Sequence, residues 1–447
     1  MNRTYLLEKE NMLNALLKLS IPSAVALFAN VFYNIVDTIF IGRYIGTIGL
    51  ESVSIYLPIQ KIIIAFTILI GMGTATLISK SFGEKDHKKA NYLFGNLLFI
   101  VLIIAVFSSV LVFIFARPIL FLFGADTVSI SLAVEYARSM FFSLLFLSIT
   151  FPLNATVRAE GNAKYSMYAL LIGMSTNILF CYIFIAVFKM GISGAGYATS
   201  LAEFCSFLYF VYYFKFKSSL KISLKYLKFN KEYTFKAVPI GSSSFIGRGS
   251  ASIVTILMNH LLLIYGSNFD ISAYSIVSKI TGLIRVPLSG ISNGMKPIVS
   301  YNLGAKNFNR IKEALKISLI LSFIMALLMT LGGIFFPHYI FSIFTNNETL
   351  INISSNFLKI IIMARPFTGI YIVIIGFYQS LGQAKKSFRL SLFRRFLIFI
   401  PVAILLPHLF NIGMLGIFLA FPISDFVSFL VATIMISRDY KRIFKDR

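Results

Sequence analysis

Apolar runs long enough to cross a bilayer follow one another along the whole 447-residue chain. A helix needs about 20 mostly apolar residues to span the hydrocarbon core. Runs of that order fall near 18–41, 53–79, 92–115, 134–156, 166–188, 194–214, 238–264, 273–300, 314–336, 354–380, 389–410 and 413–436. Outer-membrane barrels show short alternating strands instead. With 57% hydrophobic and 13% charged residues and a mean hydropathy of +0.83, a soluble domain is excluded. The expected fold is an all-α integral membrane protein of twelve transmembrane helices.

A net charge of +24 suggests nucleic acid in a soluble protein. Here 30 of the 41 basic residues fall in segments that share one side of the membrane, from Arg3, Lys9 and Lys18 to Lys385, Lys386, Arg389, Arg394 and Arg395 and on to Lys445 and Arg447. The opposite side holds Arg43, Arg117 and Lys189. Basic loops mark the cytoplasmic face, so both termini are expected inside, with anionic lipid rather than nucleic acid as the partner of that charge. The leading MNRTYLLEKENMLNALLKL carries Glu8 and Glu10 and lacks a small-residue cleavage site, which reads as a cytoplasmic lead-in and not a signal peptide. Cys181 and Cys205 both fall in spans, which predicts free thiols and no disulfide framework.

The basic stretch 215–237 lies near the midpoint and reads as a linker between residues 1–214 and 238–447. Sliding the second half back over the first lays VSYNLGAK (299–306) on ISKSFGEK (78–85), LGQAK (381–385) on EGNAK (160–164) and Phe357 on Tyr136, all in one register. With the register moved by a single position, GIFLAFPISDF (416–426) meets GAGYATSLAEF (194–204), with Asp425 on Glu203. An alignment held across six spans identifies a tandem duplication of six-helix bundles. An even span count gives both copies the same orientation, the geometry of alternating access.

Chemistry concentrates in NVFYNIVDTIFIG (30–42), which places Asp37 among Val, Ile and Phe. A carboxylate at membrane depth costs at least ~2.5–3.5 kcal/mol, so it reads as functional by default. Asn30, Tyr33, Asn34 and Asp37 fall at i, i+3, i+4 and i+7 and share one helix face. Taking a carboxylate out of water disfavours its charged form, so such a group can exchange a proton against a cation. Asn177 and Cys181, four residues apart, also share a face, either lining a cavity or packing between helices. Glu203 and Asp425 either reach inward or are neutralised by polar neighbours. His260 beside Asn259 reads as a hydrogen-bonded structural group. The chain has no GxxxxGK[ST] phosphate loop, no metal-ligand cluster and no oriented nucleophile–base pair, so neither ATP drive nor an enzyme is expected.

The ordered set of Pro22 leading to YNIVDTIFIG, RAEGN after the fourth span, Asn177 in the fifth, GAGYAT opening the sixth and QSLGQAKKS after the tenth resembles the multidrug and toxic compound extrusion (MATE) transporters over essentially the whole chain. That resemblance implies a twelve-span antiporter in the bacterial inner membrane. It implies export of small amphipathic, often cationic, drugs in exchange for H+ or Na+, with no other cofactor. It also implies a polar cavity in the N-terminal bundle, with Asp37, Asn177 and Thr199 coupling the cation and Asn30, Tyr33, Asn154, Cys181 and Glu203 lining the cavity. Where Na+ is the coupling ion it would sit near Asp37, and a monomer is expected. The chain departs from the pattern at Cys181, where members carry a second carboxylate, and Glu203 is the candidate for the missing charge. The alternative within transport is a lipid-linked saccharide flippase, whose anionic cargo would call on Lys61, Arg138, Arg248, Lys279, Arg285, Lys296, Lys359 and Arg365. A receptor or scaffold has no evident use for duplication plus an intramembrane acid.

Overall fold

The computed structural model describes residues 3–344, 347–409 and 412–444, so Lys445 and Arg447 lie outside it. Its long helices run in chain order as α1 (Met12–Tyr44), α2 (Thr47–Gly83), α3 (His87–Ile114), α4 (Phe141–Ala159), α5 (Ala163–Val187), α6 (Gly191–Phe216), α7 (Lys231–Tyr265), α8 (Asn268–Gly304) and α9 (Phe308–Phe335). There follow α10, a broken pair of Glu348–Ile362 and Arg365–Ser380, α11 (Ala384–Leu409) and α12 (Met414–Phe444). Among the described residues nine of these helices are long and apolar enough to cross a membrane, and α10 makes ten if its halves, bent by 50°, count as one span. The other two, α6 and α8, are 26 and 37 residues long but carry polar runs, with Glu203 in α6 and Lys279, Arg285 and Lys296 in α8.

Two expected spans prove discontinuous. The fourth, 134–156, divides at Met140 into Ile130–Ser139 and α4, where Ser139 Oγ bonds back to the Tyr136 carbonyl at 2.7 Å. The tenth, 354–380, divides before Arg365, where Pro366 has no N–H to continue the ladder.

The chain forms two compact units: residues 1–8 with 25–245, and residues 9–24 with 246–447. The first unit's core gathers Tyr56, Leu120, Tyr136, Leu144, Cys181 and Ile185. The second gathers Met258, Leu262, Phe341, Leu358, Phe399 and Phe418, with the Phe357 and Phe418 rings stacked 3.9 Å apart. In hydrocarbon, helix association rests on close packing, and small residues permit it. A Cβ on Gly73 would stand 2.0 Å from the Ala237 carbonyl oxygen, within the first unit. The repeat-related Gly294, within the second, would meet Ser20 Oγ at 2.3 Å. The basic stretch after α6 is fastened to the first unit through its backbone. Glu160 accepts from Ser219 N at 2.9 Å, Asn91 from Lys221 N at 2.7 Å and Asn96 from Asn230 N at 2.7 Å.

The duplication is visible residue by residue. Asp86 caps α3 through Lys89 N at 2.9 Å, and its repeat counterpart Asn307 caps α9 through Arg310 N at 3.3 Å. Lys85 and Lys306 just before them take φ of 59° and 57°, a left-handed turn unusual for a side-chain-bearing residue. Gly161 and Gly382 turn the chain at φ 82° and 71°. Helix α5 spans 25 residues and α11 spans 26, and each contains a π-helical segment, Tyr182–Val187 and Phe393–Phe399. Such segments often mark functional sites.

Candidate functional site

In the first unit α1, α5 and α6 bring the expected residues together. A small cleft is lined by Asn30 and Tyr33 of α1, Gly173, Met174 and Asn177 of α5, and Thr199, Glu203 and Ser206 of α6, among others. Asp37 is absent from that lining. It lies half-buried two turns along α1 from Asn30, where the Cys181 thiol donates to its Oδ1 at 3.1 Å and the Asn177 side chain lies nearby. Asn177 Nδ2 donates to Thr199 Oγ1 at 3.2 Å, and Thr199 Oγ1 donates to the Ala195 carbonyl at 3.0 Å. Asn177 thus stands between the carboxylate and the cleft, which it lines together with Thr199.

One acceptor in this network is unused. Asn177 Oδ1 is buried and has no hydrogen-bond partner. A buried acceptor left unmade costs about 1–3 kcal/mol, so a bound proton donor or cation has something to gain here. Glu203 lies in the same cleft, where it accepts from Thr150 Oγ1 at 3.1 Å. Tyr33 lies within the electrostatic reach of both Glu203 and Asp37. Glu203 and Asp37 thus act on one tyrosine without touching each other.

Cys181, expected to line the cavity, is fully buried and absent from the cleft lining, and two further expected residues point elsewhere. Asn154 is buried but pairs with Arg158 and donates to the Ser166 carbonyl at 3.4 Å, outside the cleft. Asn34 is exposed and donates back to the Asn30 carbonyl of its own helix at 2.5 Å. Three residues were missed. Tyr136 lies within the field of Asp37, Tyr56 packs edge-on against it with ring centroids 5.2 Å apart, and Thr150 holds Glu203. The one sequence signal was Tyr136 standing where the second copy has Phe357, a hydroxyl on the copy that has the acid.

The second unit places Asp425 differently. It is 1% exposed and clamped: Arg394 Nε donates to Oδ1 at 2.8 Å with Nη2 on the same oxygen, Thr368 Oγ1 donates to Oδ2 at 2.7 Å, and Arg365 Nη1 lies 3.6 Å from Oδ2. Arg394 and Arg395, counted in the sequence with the basic segment before α11, are inside that helix, in its π segment. Of the eight basic residues that the flippase alternative would use, Arg285 and Arg365 join this group. Lys61, Arg138, Arg248, Lys279 and Lys359 are exposed, and Lys296 is half-buried beside Asn293.

The MatE family pattern matches residues 22–183 and again 239–405, one match in each half of the chain. A probable multidrug resistance protein of Bacillus subtilis, YoeA, is 26% identical over 432 residues, covering 94% of this chain and 92% of that protein. The multidrug export protein MepA of Staphylococcus aureus is 25% identical over 434 residues, covering 97% and 95%. A solved structure of the MATE multidrug transporter DinF-BH, in a ligand complex, superposes with a TM-score of 0.88 at 32% identity, covering 97% of this chain and 96% of that one.

Proposed function

Because the chain belongs to the MatE family, we propose that it is a multidrug exporter, a secondary antiporter that moves amphipathic cations outward in exchange for H+ or Na+ by alternating access. The observation that carries the reading is Asp37, held by Cys181, beside Asn177, whose Nδ2 bonds Thr199 of the cleft and whose buried Oδ1 is an unused acceptor. A proton on Asp37 supplies the donor that Asn177 lacks. A sodium ion finds one negative charge and the neutral oxygens of Asn177 and Thr199. A cationic drug needs the same negative charge, so ion and drug compete for it. Competition couples the two flows, since a ligand shifts the inward–outward equilibrium only by its differential affinity for the two states. Tyr33 and Met174 in the cleft offer an aromatic face and a polarisable thioether suited to planar cations.

The chain resides on this reading in the bacterial inner membrane with both termini cytoplasmic, supported by the asymmetry of its basic residues. It works as a monomer. The names of YoeA, MepA and DinF-BH support drug export over saccharide flipping. Everted vesicles carrying the protein are given ethidium under an imposed proton gradient or an imposed sodium gradient. One gradient is expected to drive dye uptake into the vesicles, and Asp37→Asn is expected to abolish it. Dye movement under neither gradient, or wild-type behaviour of Asp37→Asn, overturns the reading.

A further inference from the structure

The second unit holds more positive charge than it neutralises. Arg285 of α8, Arg365 of α10 and Arg394 and Arg395 of α11 act electrostatically on one another, and Asp425 is the one carboxylate among the groups acting on them. Asp425 is already committed to Arg394, Arg365 and Thr368. Arg365 Nε is buried without an acceptor. Arg285 and Arg395 are half-buried and make no hydrogen bond or ion pair with any described residue. Four guanidiniums against one carboxylate leave a formal excess of three positive charges.

A purely structural cluster does not explain that excess. Arg394 and Arg365 tie α10 and α11 to α12 through Asp425, which accounts for two of the four. Arg285 and Arg395 add no hydrogen bond or ion pair; they feel the already committed Asp425 and the repulsion of the other guanidiniums in a desolvated setting, which is unfavourable unless a further anion offsets it. The break in α10 adds to the field, because Arg365 is the first residue of its second half and the positive end of that helix dipole lies at the cluster. Guanidinium forks match the paired oxygens of phosphate and carboxylate, and an excess above one charge favours the more highly charged of these.

We propose that Arg285, Arg365 and Arg395, braced by the Arg394–Asp425 pair, form a site for a multiply charged oxyanion of the phosphate class. The oxyanion is either a soluble phosphate compound or the phosphomonoester headgroup of a lipid. This site stands apart from Asp37 and does not depend on the exporter reading.

The test uses the purified full-length chain and its thermal unfolding midpoint. Inorganic phosphate is titrated against sodium chloride at equal ionic strength in detergent. In parallel the protein is placed in nanodiscs of phosphatidylcholine with or without phosphatidic acid. We expect a saturable rise of the midpoint with at least one of the two. Arg285→Gln and Arg395→Gln each raise the half-saturating concentration about tenfold, the size of one charge-assisted hydrogen bond, while their midpoints without ligand stay level or rise. Asp37→Asn responds like wild type. A response to phosphate assigns a soluble ligand, and a response to phosphatidic acid alone assigns a headgroup. No response to either, or an undiminished response in both Arg variants, overturns the proposal.

Discussion

Glu203 in the first unit and Asp425 in the second occupy one place in the repeat, yet their surroundings are opposite. Glu203 shares a cleft with Gly173 and Met174, whereas at the matching places the second unit has Arg394 and Arg395. Where the first copy leaves space beside its acid, the second inserts a guanidinium and closes an ion pair. Duplication kept the acid and diverged its neighbour, and the neighbour decides whether the acid meets a ligand or a partner side chain. The largest effect should follow from undoing the pair. Arg394→Ala leaves a carboxylate at 1% exposure with only the 3.6 Å Arg365 contact for charge, and removing one partner of a buried pair costs about 3–5 kcal/mol. Glu203→Ala removes a single contact with Thr150, worth about 0.5–1.5 kcal/mol. Thermal unfolding of the two variants compares them, and equal losses would show that the units do not differ in this way.

The reverse exchange tests the first unit. Met174→Arg places a cation beside Glu203 at the position that Arg395 holds in the second copy. A like charge in the cleft should oppose a cationic dye by at least about 1.4 kcal/mol, a tenfold loss of export affinity. Export at wild-type affinity would mean that cations do not pass this cleft. A smaller change is expected at Cys181. Its thiol occupies one lone pair of Asp37 at 3.1 Å, so Cys181→Ala frees that oxygen for the coupling ion. The half-saturating ion concentration should fall roughly fivefold, about 1 kcal/mol for a weak donor, with Cys181→Ser staying within about twofold of wild type. If Ala and Ser behave alike, the thiol is packing and not a donor to Asp37.

Asp37 was legible in the sequence because a carboxylate in an apolar run is an anomaly of composition, visible without any contact. The helix pattern was legible for the same reason, since bilayer thickness imposes length and hydropathy locally. The repeat came through even at the level of caps and turns, as Asp86 with Asn307 and Lys85 with Lys306 show. Arg394 and Arg395 were not legible as buried groups. They follow Lys385, Lys386 and Arg389, and a rule that counts positive charge near span ends cannot tell a solvated arginine from one paired across helices. Tyr56 and Tyr136 were hidden among 22 tyrosines, because an aromatic beside an acid and one in a core look identical along the chain. Asn154 came in through resemblance alone, and in this chain Arg158 and Ser166 engage it.

The smallest difference between the units lies at a helix cap and is read by pH. Before Ile130–Ser139, Asp126 accepts from Ser129 N at 2.7 Å, Ser129 Oγ at 2.7 Å and Val128 N at 3.0 Å. Its counterpart in the second copy, Asn347, accepts from Leu350 N at 3.1 Å. The Ser129 amide and hydroxyl hold the exposed Asp126 carboxyl below its ordinary value, whereas an amide does not titrate in this range. A depressed folded value means that the cap contributes above the unfolded carboxylate value of about 3.9 and is lost as pH falls through the folded value. Acid should therefore loosen the first unit's cap and leave the second's intact. Hydrogen exchange of peptides covering 126–132 and 347–353, corrected for intrinsic rates, measures both caps in one sample. Protection should fall in acid for the first peptide alone, and Asp126→Asn should remove that fall. A parallel loss in both peptides would trace the acid response to the whole fold and not to the one aspartate that distinguishes the two caps.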